Sequence, residues 1–144
     1  MTADQIFGFA NFAALLGWIF LGAAAVLKRE AWITLGTGWI WPLAFATLYT
    51  ALIIFFFMQA PGGFDSLAHV QLLFTDHWAA LAGWVHYLAF DLFIGSWITL
   101  QVLQRHLPRL TLVVLLPMTF FFGPIGLLLF AATKLAFERK EQTA

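Results

Sequence analysis

Two side chains capable of acid–base chemistry lie inside a strongly apolar stretch of the sequence. Residues 83–95 read GWVHYLAFDLFIG, in which His86 is the only imidazole and Asp91 the only carboxylic acid. A charged group at mid-bilayer is costly, so such residues usually face the interior of a helix bundle and often mark function. Because desolvation disfavours a carboxylate, a carboxyl buried in lipid favours its protonated form. It can then deliver a proton to a lipid-soluble substrate, and an imidazole can remove one.

Helical spacing groups other residues with Asp91. At about 100° per residue, Tyr87, Trp84 and Gly95 share its face of the helix. His86 points about 140° away from Asp91, so the two are not neighbours along one face. Both could still flank one substrate if other helices wrap around this segment.

Each of these residues also has a purely structural interpretation. A protonated Asp91 could hold helices together by bonding to a backbone carbonyl or to Tyr49, and His86 could do the same. Asn11 fits helix packing as well as a site, and Gly95 is of the kind that permits close helix contact. The sequence leaves these alternatives open.

The composition indicates a protein whose solvent is lipid. Of 144 residues, 62% are hydrophobic and 10% charged, whereas soluble domains are about 45–50% apolar and about 25% charged. The formal net charge is zero, so no basic excess suggests nucleic acid as a partner. The chain has no cysteine, which excludes disulfides, thiolate metal sites and a cysteine nucleophile.

Four apolar segments are at least as long as the roughly 20 residues that a membrane crossing requires. We therefore predict an all-α integral membrane protein, with four transmembrane helices in one antiparallel bundle over residues 1–144 and both termini on one side. A short interfacial helix at 64–74, capped by Asp65 or Ser66, is expected in the longest linker. The predicted spans are Ile6–Leu27, Gly38–Gln59, Trp78–Leu103 and Leu110–Phe137.

Residues that lie at the same depth in different spans are candidates for one common site. Counted inward from the second linker, Tyr49 reaches the level of His86, and Gly123–Pro124 reaches that of Asp91. We predict one cavity near the midplane, with Asp91 and His86 as catalytic residues. The predicted substrate-binding residues are Tyr49, Tyr87, Trp84, Asn11, Gly95, Phe90 and Pro124.

Two prolines are expected to break the fourth helix. Pro117 and Pro124 each deprive a carbonyl of its helical partner. Lipid cannot satisfy such a carbonyl, so the break should face a polar cavity. Near the membrane edge, Lys134 reaches the level of Asp76, and we expect these two to make contact.

The basic residues give competing signals about orientation. Lys28–Arg29 and the RHLPR segment at 105–109 favour a cytoplasmic location for the first and third linkers. Four crossings would place the basic C-terminal segment, which contains Arg139 and Lys140, on the opposite side.

Several familiar chemistries find no support in the sequence. A bis-histidine haem needs histidines on facing helices, and His86 is the only histidine deep in a predicted span. There is no Glu-x-x-His motif for a di-iron site, no P-loop and no serine elbow. We therefore predict no metal and no cofactor.

The segment His86, Tyr87, Asp91, Leu92 and Phe93, within four apolar spans, resembles the plant neoxanthin synthase family of the abscisic-acid-deficient type. The resemblance extends from NFAALLGW at 11–18 to GPIGLLLF at 123–130. In that family the protein is required to convert violaxanthin into neoxanthin, an isomerisation that opens an epoxide and forms an allene by proton loss. The resemblance implies that Asp91 protonates the epoxide oxygen and His86 removes the carbon-bound proton, without a redox cofactor.

The resemblance supplies a substrate class rather than one substrate. The chain has no extension of the plastid-targeting kind, so we expect a bacterial multi-pass protein of the inner (cytoplasmic) membrane. Its substrate would be an apolar polyene from the bilayer, either a carotenoid or an apocarotenoid such as retinal, and cis–trans isomerisation is an alternative reaction. A rival interpretation is a non-catalytic carotenoid or lipid carrier, or an assembly protein of a membrane complex. Homo-oligomers are compatible with either interpretation. A weaker rival is a retinal-binding photoprotein that uses Lys134 as its Schiff base.

Overall fold

Three helices are long and apolar enough to cross a membrane. The computed structural model describes residues 1–143, with side chains through Arg139, and the three helical stretches are Ala3–Val26, Glu30–Gln59 and His77–Gln104. The shortest has 24 residues, about 36 Å at 1.5 Å per residue, against a hydrocarbon core of about 30 Å. By length and composition, three of the four predicted spans are thus confirmed as candidate membrane spans.

Local capping explains where these helices begin. Helix α1 (Ala3–Val26) starts with a capping box, in which the Thr2 hydroxyl accepts from the Gln5 amide and the Gln5 side chain accepts from the Thr2 amide. Helix α5 (His77–Gln104) is capped by Asp76, whose carboxylate accepts from two backbone N–H groups at 2.9 Å. The short helix predicted in the longest linker is confirmed as α4 (Leu67–Leu73), with Ser66 as its cap.

The second helical stretch changes its winding along its length. It begins as α2 (Glu30–Trp32), continues as a π-helix over Ile33–Ile40, and becomes α3 (Trp41–Phe56). The Trp41 indole N–H donates to the Ala13 carbonyl at 2.9 Å, which fixes this stretch against α1. Helix α5 lies at the centre of the fold, packed against α1, the π-helix, α3 and the chain that follows it.

The fourth predicted span is a helical hairpin rather than one crossing. Helix α6 (Leu112–Phe122) ends at Gly123, and α7 (Pro124–Thr143) begins immediately after it. Gly123 has a φ of +33°, which lies outside the range that residues with a Cβ adopt easily. The break therefore occurs at Gly123–Pro124, whereas Pro117 lies inside α6 without ending it.

Contacts with α5 show that α7 returns towards the end where α6 began. Gly123 lies against Asp91 in the middle of α5. Further along, the rings of Trp97 and Phe130 are 5.2 Å apart, and the Arg105 guanidinium is 3.3 Å from the Glu138 carboxylate. Helix α7 thus runs parallel to the second half of α5. The hairpin replaces the fourth crossing of the predicted antiparallel bundle.

The hairpin corrects two further expectations. Ala3 and Asp4 border the same pocket as His77, the first residue of α5, whereas Glu138 lies at the last turn of α5. The beginning of α1 and the described part of α7 beyond Glu138 therefore lie at opposite ends, not on one side. Lys134 pairs with Glu138 at 3.8 Å instead of approaching Asp76.

Because α7 returns, the basic residues no longer give competing signals about membrane orientation. Arg109 contacts the Val26 carbonyl at the end of α1, and Arg105 pairs with Glu138 near the end of α5. All the Lys and Arg residues whose side chains the structure describes lie at or near this end, which we call the basic end: Lys28, Arg29, Arg105, Arg109, Lys134 and Arg139.

Candidate functional site

Asp91 is a buried carboxyl at the centre of the fold. It lies midway along α5 and is 8% exposed. One of its oxygens, Oδ2, is buried and has no hydrogen-bond partner among the described residues. A buried polar atom without a partner is costly and uncommon in native structures. This atom is therefore the strongest pointer to a ligand in the chain.

Tyr87 connects α5 to the break in the hairpin. Its hydroxyl donates to the Phe120 carbonyl at 2.8 Å. That carbonyl lies in the last turn of α6, and Pro124, four residues later, has no N–H to offer it. The freed carbonyl is therefore satisfied by one tyrosine hydroxyl, whereas the cavity beside the break is mainly apolar and not the polar cavity predicted.

Tyr87 and Asp91 lie one helical turn apart on α5, and both side chains line the same cavity. A hydroxyl has a single hydrogen, and that of Tyr87 is donated to Phe120, so Tyr87 does not supply the missing partner of Asp91.

Gly123 lets the hairpin approach the carboxyl closely. A Cβ built on this residue would lie 2.5 Å from Asp91 Oδ1 and 3.3 Å from Oδ2. Any larger residue would therefore displace the carboxyl, quite apart from the positive φ. The turn of the hairpin forms a wall directly beside the acid.

Asp91 borders a cavity of about 400 Å³ between α1, α5 and α6. This volume falls within the roughly 300–1,000 Å³ of small-molecule sites. Leu15 and Phe121 at its rim are 48% and 63% exposed, so the cavity opens through the side of the helix bundle. The lining residues are Asn11, Ala14, Leu15, Trp18, Trp84, Tyr87, Leu88, Asp91, Phe120 and Phe121.

Half of the residues that line the cavity are aromatic. Trp84 stacks on Tyr87 with ring centroids 5.3 Å apart, and its indole N–H donates to the Asn11 side chain at 2.8 Å. On the other side, Trp18 meets Phe120 edge-to-face at 5.4 Å. The wall therefore offers π faces to a flat apolar ligand and very few polar groups besides Asp91.

Several residues predicted for the site do meet here. Asp91, Tyr87, Trp84 and Asn11 all line the cavity. Gly95 lies behind the wall, where a Cβ would be 2.6 Å from the Trp18 ring. Its role is to admit Trp18.

Pro124 does not line the cavity. Because it has no backbone N–H, it leaves the Phe120 carbonyl free to accept from the Tyr87 hydroxyl. The cavity wall also contains Trp18, Phe120 and Phe121, which were not among the predicted site residues. For Trp18 a signal was present, because Asn11, Ala14, Leu15 and Trp18 follow the spacing of one helix face.

The structure does not bring His86, Tyr49 or Phe90 to this cavity. The His86 ring lies 5.6 Å from the Tyr49 ring and 4.6 Å from the Phe90 ring, on an exposed face of α5. Phe90 borders a separate apolar groove beside Trp39 of the π-helix. The separation follows from the rotation of about 140° between His86 and Asp91 on one helix. The predicted single cavity containing both groups is therefore not formed.

A family model covers most of these elements. The model described as ABA DEFICIENT 4-like matches residues 5–130. The chain belongs to this family. No curated protein and no solved structure matches the chain.

The matched region extends from the first turn of α1 into α7 and includes every residue that lines the cavity. The family is associated with carotenoid function related to neoxanthin. Together with the three apolar helices, the match supports a carotenoid-related protein of the membrane.

Proposed function

We propose that the chain is a membrane-embedded, cofactor-independent isomerase of a carotenoid or apocarotenoid, and that Asp91 transfers the proton. The observation that carries this proposal is a buried Asp91 oxygen that has no hydrogen-bond partner among the described residues and lies in the wall of an aromatic cavity. Binding an apolar polyene alone would not require an ionisable group there. The family membership supports the substrate class.

In the epoxide-to-allene reaction, the Asp91 carboxyl donates its proton to the epoxide oxygen as one C–O bond breaks. A proton then leaves a carbon of the polyene, and its electron pair forms the additional C=C bond of the allene. The Asp91 carboxylate accepts that proton, so the carboxyl is restored. Reactant and product have the same atoms, and no oxidant or reductant is needed.

In cis–trans isomerisation, the same carboxyl protonates a polyene carbon, and the bond order of a neighbouring double bond falls. Rotation follows, after which the proton returns to Asp91. Both routes pass through a cationic polyene. The faces of Trp84, Trp18 and Phe120 can stabilise such a cation through their π electrons.

We assign both proton steps to Asp91 because His86 lies on another face of α5. Tyr87 has a positioning role. By bonding to the Phe120 carbonyl it fixes the orientation of its own oxygen beside the carboxyl.

The side opening suggests how the substrate arrives. We place α1, the Glu30–Gln59 stretch and α5 across the bilayer, with the α6–α7 hairpin entering from one face and returning to it. Leu15 and Phe121 would then face lipid, and a polyene would enter laterally from the hydrocarbon. The positive-inside rule places the basic end in the cytoplasm, as in a bacterial inner membrane.

The decisive experiment is pigment analysis of membranes from a carotenoid-producing host that expresses the chain, followed by turnover assays on the purified protein. We expect a new isomer of one carotenoid or apocarotenoid, absent when Asp91→Asn is expressed at equal folded yield. If the unmodified protein binds pigment and converts none of the substrates supplied, it is a carrier and the isomerase proposal is wrong.

A further inference from the structure

A second cavity, of about 440 Å³, lies at the basic end, where the α1–α2 linker meets the α5–α6 linker. We call it the linker cavity. On the α5 side it begins at Val102, which is 11 residues and thus about 16 Å from Asp91. It is separate from the candidate active site. Its lining residues are Lys28, Glu30, Val102, Leu103, His106, Leu107, Pro108 and Arg109.

The backbone of the linker cavity is unusual at two positions. Lys28 and His106 have φ values of +56° and +54°, and they are the only non-glycine residues with positive φ in the described chain. Each directly follows the C-cap of a long helix, a position that glycine normally occupies. Both therefore place a cation-forming side chain where glycine would suit the backbone better. Both side chains border the same cavity.

The charges at this cavity are only partly compensated. Among the described residues, the Lys28 ammonium has no ion-pair partner, whereas Arg105 and Lys134 outside the cavity both pair with Glu138. The one acid in the lining, Glu30, accepts a hydrogen bond from the Gln104 side chain at 3.2 Å. The cavity is consequently suited to an anion.

An apolar groove of about 260 Å³ adjoins this cavity and shares Arg109 with it. Its other lining residues come from α1 and α6 and carry no charge: Gly22, Ala25, Val26, Leu112, Val113 and Leu116. An anion site continuous with an apolar groove matches a phospholipid, because the phosphate and an acyl chain of one molecule occupy adjacent spaces. Free phosphate would use only the first.

We infer that the linker cavity binds the phosphate of an anionic phospholipid and that the adjoining groove accommodates one acyl chain. Lys28 and Arg109 provide the fixed positive charges, and His106 adds a hydrogen-bond donor. Basic pockets on the cytoplasmic side of membrane helices are suited to such headgroups. The inference needs the chain to lie in a membrane and is independent of catalysis by Asp91.

Native mass spectrometry of the detergent-purified full chain tests this inference. The probes are phosphatidylglycerol, phosphatidylcholine and inorganic phosphate. We expect retention of phosphatidylglycerol over phosphatidylcholine, without displacement by excess inorganic phosphate. Lys28→Gly and Arg109→Gln should each lower phosphatidylglycerol occupancy about fivefold. Lys134→Gln removes a basic residue from the same end but outside the cavity, and it should have no effect.

The glycine variant separates binding from folding. Because glycine suits the positive φ of residue 28, Lys28→Gly should raise the unfolding temperature while lipid binding falls. The inference is overturned if Lys28→Gly and Arg109→Gln retain phosphatidylglycerol as the unmodified chain does. Equal retention of phosphatidylcholine, or binding of inorganic phosphate without lipid, would also overturn it.

Discussion

At the scale of single residues, Asp91 is the group whose chemistry can be isolated most cleanly. Asp91→Asn preserves shape and polarity but removes the transferable proton, so turnover should fall by about 10²–10⁴-fold while pigment binding persists. His86→Gln is the matched control, since His86 lies outside the cavity, and it should leave turnover nearly unchanged. The measurement is product formed per mole of folded protein. Near-normal turnover of Asp91→Asn would exclude proton transfer by this carboxyl.

The two tyrosines of the chain offer a second matched pair. Tyr87→Phe leaves the Phe120 carbonyl without its donor at 2.8 Å, which should lower the free energy of unfolding by about 1–3 kcal/mol. Tyr49 contacts the His86 ring, and its hydroxyl makes no hydrogen bond among the described residues. Tyr49→Phe should therefore be almost neutral. Thermal unfolding in detergent measures both, and equal effects would argue against the Tyr87–Phe120 bond.

How far these residues could be predicted depends on whether one helix is sufficient to place them. The helical spacing around Asp91 correctly grouped it with Tyr87 and Trp84, because all three lie on α5. His86 was assigned to the same cavity only by supposing that neighbouring helices wrap around α5. Trp18 and Phe120 come from other helices, and no local pattern reveals which faces of two helices meet.

At the scale of elements, the turn of the α6–α7 hairpin depends on Gly123. Gly123→Ala introduces a Cβ 2.5 Å from Asp91 Oδ1 at a φ of +33°. The left-handed backbone alone should cost about 1–2 kcal/mol. Gly22→Ala is the control, because a Cβ there would meet nothing within 4 Å. Unfolding temperature and turnover should both fall for Gly123→Ala only, and an unperturbed Gly123→Ala protein would contradict this geometry of the turn.

The hairpin also shows what an apolar run leaves undetermined. Residues 110–137 are long enough for one crossing, and their hydropathy is equally compatible with two shorter helices packed together. Gly123–Pro124 marks the interruption in the sequence, but it does not specify the direction of the chain beyond it. That direction depends on distant contacts, such as Phe130 with Trp97 and Glu138 with Arg105. The predicted break was therefore confirmed, and the predicted fourth crossing was not formed.

At the scale of the whole molecule, three candidate membrane spans and a returning hairpin place the basic residues together. With four crossings, Lys134 and Arg139 would oppose Lys28 and Arg109 across the membrane. With the hairpin, Lys134 joins Arg105 through their shared partner Glu138. The positive-inside rule then gives one consistent orientation instead of two competing signals. Whether further copies of the chain assemble around this unit stays a prediction.

This orientation can be tested without a structure. Single cysteines replacing Gln5 and Gln142 in the naturally cysteine-free chain can be labelled with a membrane-impermeant thiol reagent in intact cells and in inverted vesicles. We expect residue 5 to be labelled from outside and residue 142 from the cytoplasmic side, because α7 returns to the basic end. A cysteine at Asp65, in the α3–α5 linker, is the control and should label with residue 5. Labelling of residues 5 and 142 from the same side would show that residues 110–137 cross the membrane and do not form a returning hairpin. The break beside Asp91 would then be a kink within one membrane-spanning helix. Phe120 and Phe121 would still precede that kink, but α7 would continue to the opposite side of the membrane.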